Sequence, residues 1–417
     1  MRRFHHLSIL LLSAAVLGCG QDMPPSADAD KSSTDSEIRF SGVTASVSEP
    51  GQQALPPDGG KVQPEGESLD EATRQLSAIQ QLRVAPVPEG IEDAREVRRK
   101  RNLQIVKIAT EVLCLTLDNQ GRRDDFAAAV RQLLEARYQL ALSGSESDIE
   151  QLYADVQALN ERDPHSAEAA EGIYHLARFA HTKARLQGRG NVAWFENFSR
   201  WAREFADRFP NQRERATALL FGAGRSCEMH AVVIESVKDA VRLRTEAKLC
   251  YSALTSSYPK SSQAREATAV LRRMALPGKR LSQFAGPTLN GGYVNADEFT
   301  EKVTVIYFWD GQNKEFVEKL LPLLQQAKEA SNNKLRFVGV PLEEDEAALR
   351  DYLQDTQVPG QQIFFADPAQ RSWNSPLIRY WGISLAPSVW LIERDGRVKA
   401  VDVGGFHLVD TMRQLFQ

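Results

Sequence analysis

Apolar residues are distributed along this chain in stretches of different texture. A run from Leu7 to Leu17 follows Arg2 and Arg3 and ends in small residues, the layout of a secretory signal. It is too short to cross a bilayer as a mature helix. Residues 20–66 are rich in Ser, Pro, Gly, Asp and Gln, with few large apolar side chains. Such a segment buries too little surface to offset its ordering entropy, which predicts a flexible tether. From Ser68 the spacing becomes helical: Ser68 and Glu71 form a capping-box pattern ahead of Leu69, Ala72, Leu76 and Ile79. Ser147 and Glu150 are expected to open a second such helix.

Between residues 145 and 275 the helical pattern repeats. Leu159–Pro164, Phe205–Pro210 and Leu254–Pro259 align on prolines 46 and 49 residues apart. Apolar positions lie 12, 8 and 5 residues before each proline: Leu152, Val156, Leu159; Phe198, Ala202, Phe205; Ala247, Tyr251, Leu254. Spacings of four and three place each set on one helix face. The proline is expected to end that helix and begin the next. Small residues beyond it (Ala167 and Ala170, Ala216, Ala264 and Ala267) predict close approach of the second helix.

After Pro277-Gly278, residues 276–417 alternate strand and helix patterns, which implies an α/β domain. Val303–Trp309 is a near-continuous apolar run, as in a strand buried on both faces. A helix is expected over 314–330, through Phe316, Leu320, Leu324 and Ala327. Leu335–Val340 predicts a second buried strand. Glu343–Glu346 reads as an acidic helix start and not as a metal site. A short strand at Ile363–Phe365, a short helix from Pro376 to Gly382 and a hairpin turning at Asp395-Gly396 complete the pattern.

Composition changes this picture little. The chain has 417 residues, 42% hydrophobic and 25% charged, with a net charge of −4 that invites no nucleic acid. Arg98–Arg101 is the dense basic run and reads as a solvated helix face. The four cysteines are Cys19, Cys114, Cys227 and Cys250. Cys114 is expected to be a buried inert thiol. Cys227 and Cys250 are either a structural disulfide or free thiols. No cysteine–histidine spacing suggests a metal site, and no cofactor is implied.

Three resemblances follow from these residues. Val16-Leu17-Gly18-Cys19-Gly20 resembles the bacterial lipoprotein box, which implies lipidation and cleavage at Cys19, against plain secretion with cleavage near Gly18. The proline-centred hairpins resemble tetratricopeptide-type repeats, whose stacks present concave protein-binding surfaces; a plain helical bundle is the alternative. Leu281–Leu289, Phe308-Trp309 and Ala386-Pro387 resemble thioredoxin-like redoxin domains. That likeness implies a cis peptide at Pro387, beside a groove for extended segments. The architecture expected is multidomain, α followed by α/β. It comprises a signal and lipobox (1–19), a tether (20–66), a helical-hairpin repeat domain (67–275) and a thioredoxin-fold domain (276–417).

The thioredoxin resemblance also defines what is missing. Asn313 and Phe316 stand where that family keeps its Cys-x-x-Cys pair, and residues 276–417 contain no cysteine. Disulfide exchange needs an attacking thiolate and a resolving thiol. Asp310 reads as a cap and not a base. The chain is therefore expected to be a membrane-anchored envelope protein, facing the periplasm, whose redox-silent domain binds an unidentified protein or peptide. Trp309, Phe316, Ala386 and Pro387 are the expected groove. One rival is a thiol–disulfide oxidoreductase borrowing Cys227 or Cys250; another is a purely structural scaffold.

Overall fold

The computed structural model of the protein describes residues 65–87, 89–188, 191–403 and 408. The signal, Cys19 and the tether up to residue 64 lie outside them. All described residues fall within one compact unit, Phe40–Gln417, and none within the other, Met1–Arg39. No described helix is long and apolar enough to cross a membrane.

The helical part begins with α1 (Glu65–Val84), α2 (Ile91–Thr116) and α3 (Arg123–Ser143). Helix α1 starts at Glu65, so Ser68 lies inside it and not at its cap. Three hairpins follow: α4 (Glu146–Arg162) with α5 (Ala167–Gln187), α6 (Ala193–Arg208) with α7 (Arg213–Val233), and α8 (Val237–Ser257) with α9 (Ser262–Met274). All nine apolar positions ahead of the prolines are buried, none more than 2% exposed. Pro164, Pro210 and Pro259 lie in the turns, three residues ahead of the next helix, rather than in its first turn. The serines Ser166 and Ser261 cap α5 and α9 through their side chains, which is why proline is not needed at the start.

Successive hairpins are joined by the same kind of contact. Arg208, beside the second turn, donates to Asn160 Oδ1 ahead of the first (2.6 Å). Tyr258, beside the third turn, donates its hydroxyl to the Ala206 carbonyl ahead of the second (3.3 Å). Both acceptors, Asn160 and Ala206, lie four residues before their proline, whereas the donors lie two and one residues before theirs, so the two junctions are similar but not identical.

Three sequence expectations shift here. Helix α4 is capped by Ser145 in a capping box with Asp148, two residues before the expected Ser147 and Glu150. Cys114 is exposed, not buried: its neighbours Val112 and Leu113 take the inward positions of α2. The run Arg98–Arg101 is not simply a solvated face. Arg99 pairs with Asp148 at 2.9 Å, and Arg101 donates to the Ala85 and Pro86 carbonyls at 2.7 and 3.1 Å.

The C-terminal part opens with the antiparallel pair β1 (Ala285–Pro287) and β2 (Tyr293–Asn295). The main sheet contains β3 (Val303–Trp309), β4 (Leu335–Pro341), β5 (Gln361–Gln362), β6 (Ser388–Ile392) and β7 (Val398–Ala400). Its order is β5-β4-β3-β6-β7, parallel from β5 to β3 and antiparallel from β3 to β7. Helices α10 (Leu321–Ala330, entered through a π-turn at Phe316–Leu320), α11 (Glu346–Asp355) and α12 (Pro376–Trp381) complete it. This is the thioredoxin arrangement that the resemblance implies.

Strand β3 is buried along its whole length because both faces of the sheet are covered. Side-chain alternation sends Ile306 and Phe308 into one core, with Phe284, Trp381 and Trp390. It sends Val305, Tyr307 and Trp309 into the other, with Phe316, Leu324 and Leu349. Strand β5 lies at 361–362 and not at the expected 363–365. Ile363 and Phe364 are buried all the same, and Phe364 N donates to the Pro287 carbonyl of β1 (2.9 Å).

Candidate functional site

The end of β3 runs into a tight turn that positions the residue standing for the missing nucleophile. Asp310 Oδ1 accepts from Gln312 N at 2.8 Å, and its carbonyl from Asn313 N at 3.1 Å. Asp310 thus holds the turn, and the cap expected of it falls to Asn313. Asn313 then caps the helix: its Oδ1 accepts from Glu315 N (2.9 Å) and Phe316 N (3.2 Å). Its Nδ2 donates to the Ala386 carbonyl at 3.1 Å. The Ala386–Pro387 peptide is cis.

One carboxamide therefore does two things at this position. Its oxygen occupies helix amides that would otherwise stabilise an anion there. Its nitrogen occupies the carbonyl that an extended segment lying along residues 384–387 would use as an acceptor. An uncharged amide cannot attack a disulfide.

The expected groove is otherwise different from its sequence reading. Trp309 is 2% exposed and Phe316 is fully buried, so neither lines an open surface. Their rings stack at 4.8 Å, and Phe316 also stacks on Tyr307 at 6.4 Å. The reason is parity: Trp309 points to the same face as Val305 and Tyr307, beneath the helix that Phe316 enters. Asn313, Ala386 and Pro387 remain half-buried.

Beneath that stack lies a buried polar group of three side chains. Trp309 Nε1 donates to Gln362 Oε1 at 3.0 Å. Gln362 Nε2 donates to Tyr307 Oη (3.0 Å) and the Pro359 carbonyl (3.2 Å), and the Tyr307 hydroxyl also donates to Pro359. Burial pushes the Tyr307 hydroxyl pKa well up, so it stays a neutral donor.

The other flank of the cis-proline meets the helical part. Glu228, Met229 and Val232 of α7 surround a cavity shared with Ser384, Pro387 and Ser388, with room for about one water molecule. Arg273 of α9, 1% exposed, sits at its base. Arg273 Nε donates to Asp402 Oδ2 at 2.8 Å, Nη1 to the Trp381 (3.2 Å) and Gly382 carbonyls, and Nη2 to Glu228 Oε1. Tyr251 donates to the other Glu228 oxygen at 2.7 Å, and Ser388 to Asp402 Oδ1 at 2.8 Å. Gly382 approaches α9 so closely that an added Cβ would lie 2.6 Å from Val270 N. The residue after the cis-proline is thus tied to the helical part through buried charge. Sequence reasoning missed this network, although Arg273 gave a signal: it falls on the apolar face of its helix, three residues after Val270.

The cysteines of the helical part lie elsewhere. Cys227 and Cys250 are free and fully buried, on Phe195 O and on Ser199 Oγ and O. Burial pushes the Cys250 thiol up to about 11, and Cys227 well above its usual value. Neither lines the cavity at Pro387, and neither supplies a thiolate near neutral pH. Among the described residues no His, Cys, Asp or Glu side chains group as metal ligands.

Residues 301–398 match the thioredoxin-like family model. Among solved structures, the C-terminal domain of a protein described as a thiol-disulfide oxidoreductase from Bacteroides thetaiotaomicron is similar, at 21% identity. It covers 33% of this chain and 95% of its own length, with a TM-score of 0.30. The thioredoxin domain of a thiol-disulfide oxidoreductase from Bacteroides vulgatus is 16% identical and covers 34% of this chain and 98% of its own, at a TM-score of 0.30. A thiol-disulfide oxidoreductase from Bacteroides fragilis is 20% identical and covers 33% and 99%, at 0.28. No curated protein matches the chain.

Proposed function

We propose that this chain is an exported, lipid-anchored envelope protein whose thioredoxin-like domain is redox-silent and serves in binding a protein or peptide. The observation that carries the reading is Asn313. It stands where the resemblance places the attacking thiol, and its carboxamide is committed to the Glu315 and Phe316 amides and to the Ala386 carbonyl. Residues 276–417 have no cysteine to replace it. The rival reading, with thiols borrowed from the helical part, is weakened by the burial of Cys227 and Cys250. What remains open to a partner at the cis-proline is the half-buried surface of Asn313, Ala386 and Pro387.

Insulin-disulfide reduction by the full-length protein in neutral detergent tests this, beside a Cys227→Ser, Cys250→Ser variant. The expected result is no turnover above buffer in either. Turnover by the wild type that disappears in the variant would overturn the proposal. For the anchor, Cys19→Ala is expected to move the protein from the membrane to the soluble fraction.

A specific observation favours a second reading, in which the domain is a scaffold. The Arg273 network binds the segment after Pro387 to the helical hairpins, as a structural platform requires. The two readings differ at the half-buried surface: only the binding role is disturbed by Ala386→Glu in a variant that keeps its stability.

A further inference from the structure

A cleft with a volume of about 470 Å³ lies where α1, α2 and α3 meet. Five arginines line it: Arg83 of α1 and Arg95, Arg98, Arg99 and Arg101 of α2. The acid that lines it is Glu135 of α3, and that carboxylate is already engaged. It accepts from Arg178 at 2.7 Å and Gln139 at 2.9 Å and meets His175 at 3.4 Å. Burial alone would raise its pKa, but these bonds hold it down to about 2, so it stays charged and paired.

The arginines divide into two kinds. Three are used to build the walls: Arg99 on Asp148, Arg101 on the Ala85 and Pro86 carbonyls, and Arg83 on Gln132. Arg95 and Arg98 make no hydrogen bond or ion pair with any other described residue. They lie three positions apart, so their guanidinium groups leave α2 on one face, about 5–6 Å apart at Cβ. Burial is the leading influence that lowers the Arg83 pKa, so that guanidinium is partly desolvated. An anion in the cleft would be attracted by the two guanidinium groups that no described residue engages.

We propose that this cleft binds a terminal phosphate, a monoester carried on a larger molecule, with Arg95 and Arg98 as its direct ligands. A carboxylate has two oxygens and saturates a single guanidinium fork. A phosphate monoester presents three unesterified oxygens, enough to engage both forks at once. The cleft exceeds the size of a bare phosphate, which leaves space for the rest of a soluble phosphate monoester or of a phospholipid whose headgroup ends in one, such as phosphatidic acid.

The test is calorimetric titration of the full-length protein in neutral detergent. One arm uses inorganic pyrophosphate; the other uses dihexanoyl-phosphatidic acid, with dihexanoyl-phosphatidylglycerol (a diester) and citrate as controls. Saturable binding to pyrophosphate alone assigns a soluble phosphate. Binding to the phosphatidic acid and not to the phosphatidylglycerol assigns a lipid headgroup. Arg95→Ala with Arg98→Ala is expected to weaken either at least tenfold per arginine, and rising salt to weaken it further. Arg98→Lys keeps the charge and loses the fork, so it should fall between. Both residues are exposed and have no hydrogen-bond or ion-pair partner among the described residues, so circular dichroism and melting of the variants should match the wild type. No saturable binding in either arm overturns the proposal, as does unchanged affinity in the double variant. Citrate binding as tightly as pyrophosphate also overturns it, in favour of a carboxylate ligand.

Discussion

Replacing Arg273 by methionine keeps most of the side chain's volume and removes the cation that Glu228 and Asp402 share. Four acceptors lose their donor: two carboxylates and the Trp381 and Gly382 carbonyls. Removing one partner of a buried ion pair costs about 3–5 kcal/mol, because the remaining charge is left uncompensated. Unfolding about 340 residues together carries an entropy of roughly 0.7 kcal/mol/K. If the described residues melt as one unit, that loss lowers the midpoint by roughly 4–7 °C. Scanning calorimetry is the assay, and it carries a second readout. The network joins the helical hairpins to the sheet, so the variant should melt in two transitions where the wild type melts in one. Burial already raises the Glu228 pKa, and loss of Arg273 raises it further. A carboxyl whose folded pKa exceeds its unfolded one contributes stability below the ordinary range near ~4.3, and loses it as pH rises. The deficit of the variant should therefore grow from pH 4 to pH 7. Adding Glu228→Gln should recover part of it at neutral pH. A change under about 1 kcal/mol with one transition retained would refute the reasoning.

Other outcomes follow from the same geometry. Asn313→Ala should cost about 1–2 kcal/mol in urea unfolding, from a lost cap and a lost bond to Ala386, whereas Asn313→Asp keeps the cap and should cost less. Iodoacetamide at pH 8 with peptide mass mapping should label exposed Cys114 in the native protein and reach Cys227 and Cys250 only after unfolding. With its pKa near 11, Cys250 is roughly one part in a thousand thiolate at pH 8, and native stability should decline as pH rises from the usual thiol range towards 11. Gly382→Ala should cost about 1–3 kcal/mol and split the calorimetric transition as Arg273→Met does, since φ is +60° there and the Cβ would meet the Val270 backbone.

Much of the architecture was legible because it rests on local periodicity. The nine apolar positions ahead of Pro164, Pro210 and Pro259 repeat the same spacing, and the apolar run of β3 has no competing reading. Other features depend on neighbours remote in sequence. Ser145 with Asp148 and Ser147 with Glu150 are equal capping patterns. The choice falls to Asp148 because Arg99 reaches it from α2. Ile363 and Phe364 look like a strand, yet their burial comes from the β1–β2 hairpin. At the site, the loss of the cysteine pair was visible in sequence, as was the cis-proline. The fate of the groove was not: which face of β3 Trp309 occupies depends on where the strand begins. Arg273 appeared as a charge on an apolar face, but its partners come from another part of the chain.

Strand β5 is two residues long, and its ladder to β4 pairs Val338 with Gln361 and Gly339 with Gln362. So short a ladder barely distinguishes one alignment from the next. The Gln362 carboxamide makes that choice: a slip by one residue would turn it out of the sheet and strand both the Trp309 indole and the Tyr307 hydroxyl. Gly339 leaves the space for it, since a Cβ there would lie 2.0 Å from Gln362 Oε1. The β1–β2 hairpin inherits the same alignment through Leu289 N on the Gln362 carbonyl and Phe364 N on Pro287. A single amide side chain thus works as an address for the sheet edge, giving uniqueness of assembly where backbone pairing alone gives little. Gln362→Leu would preserve apolar volume and erase that address.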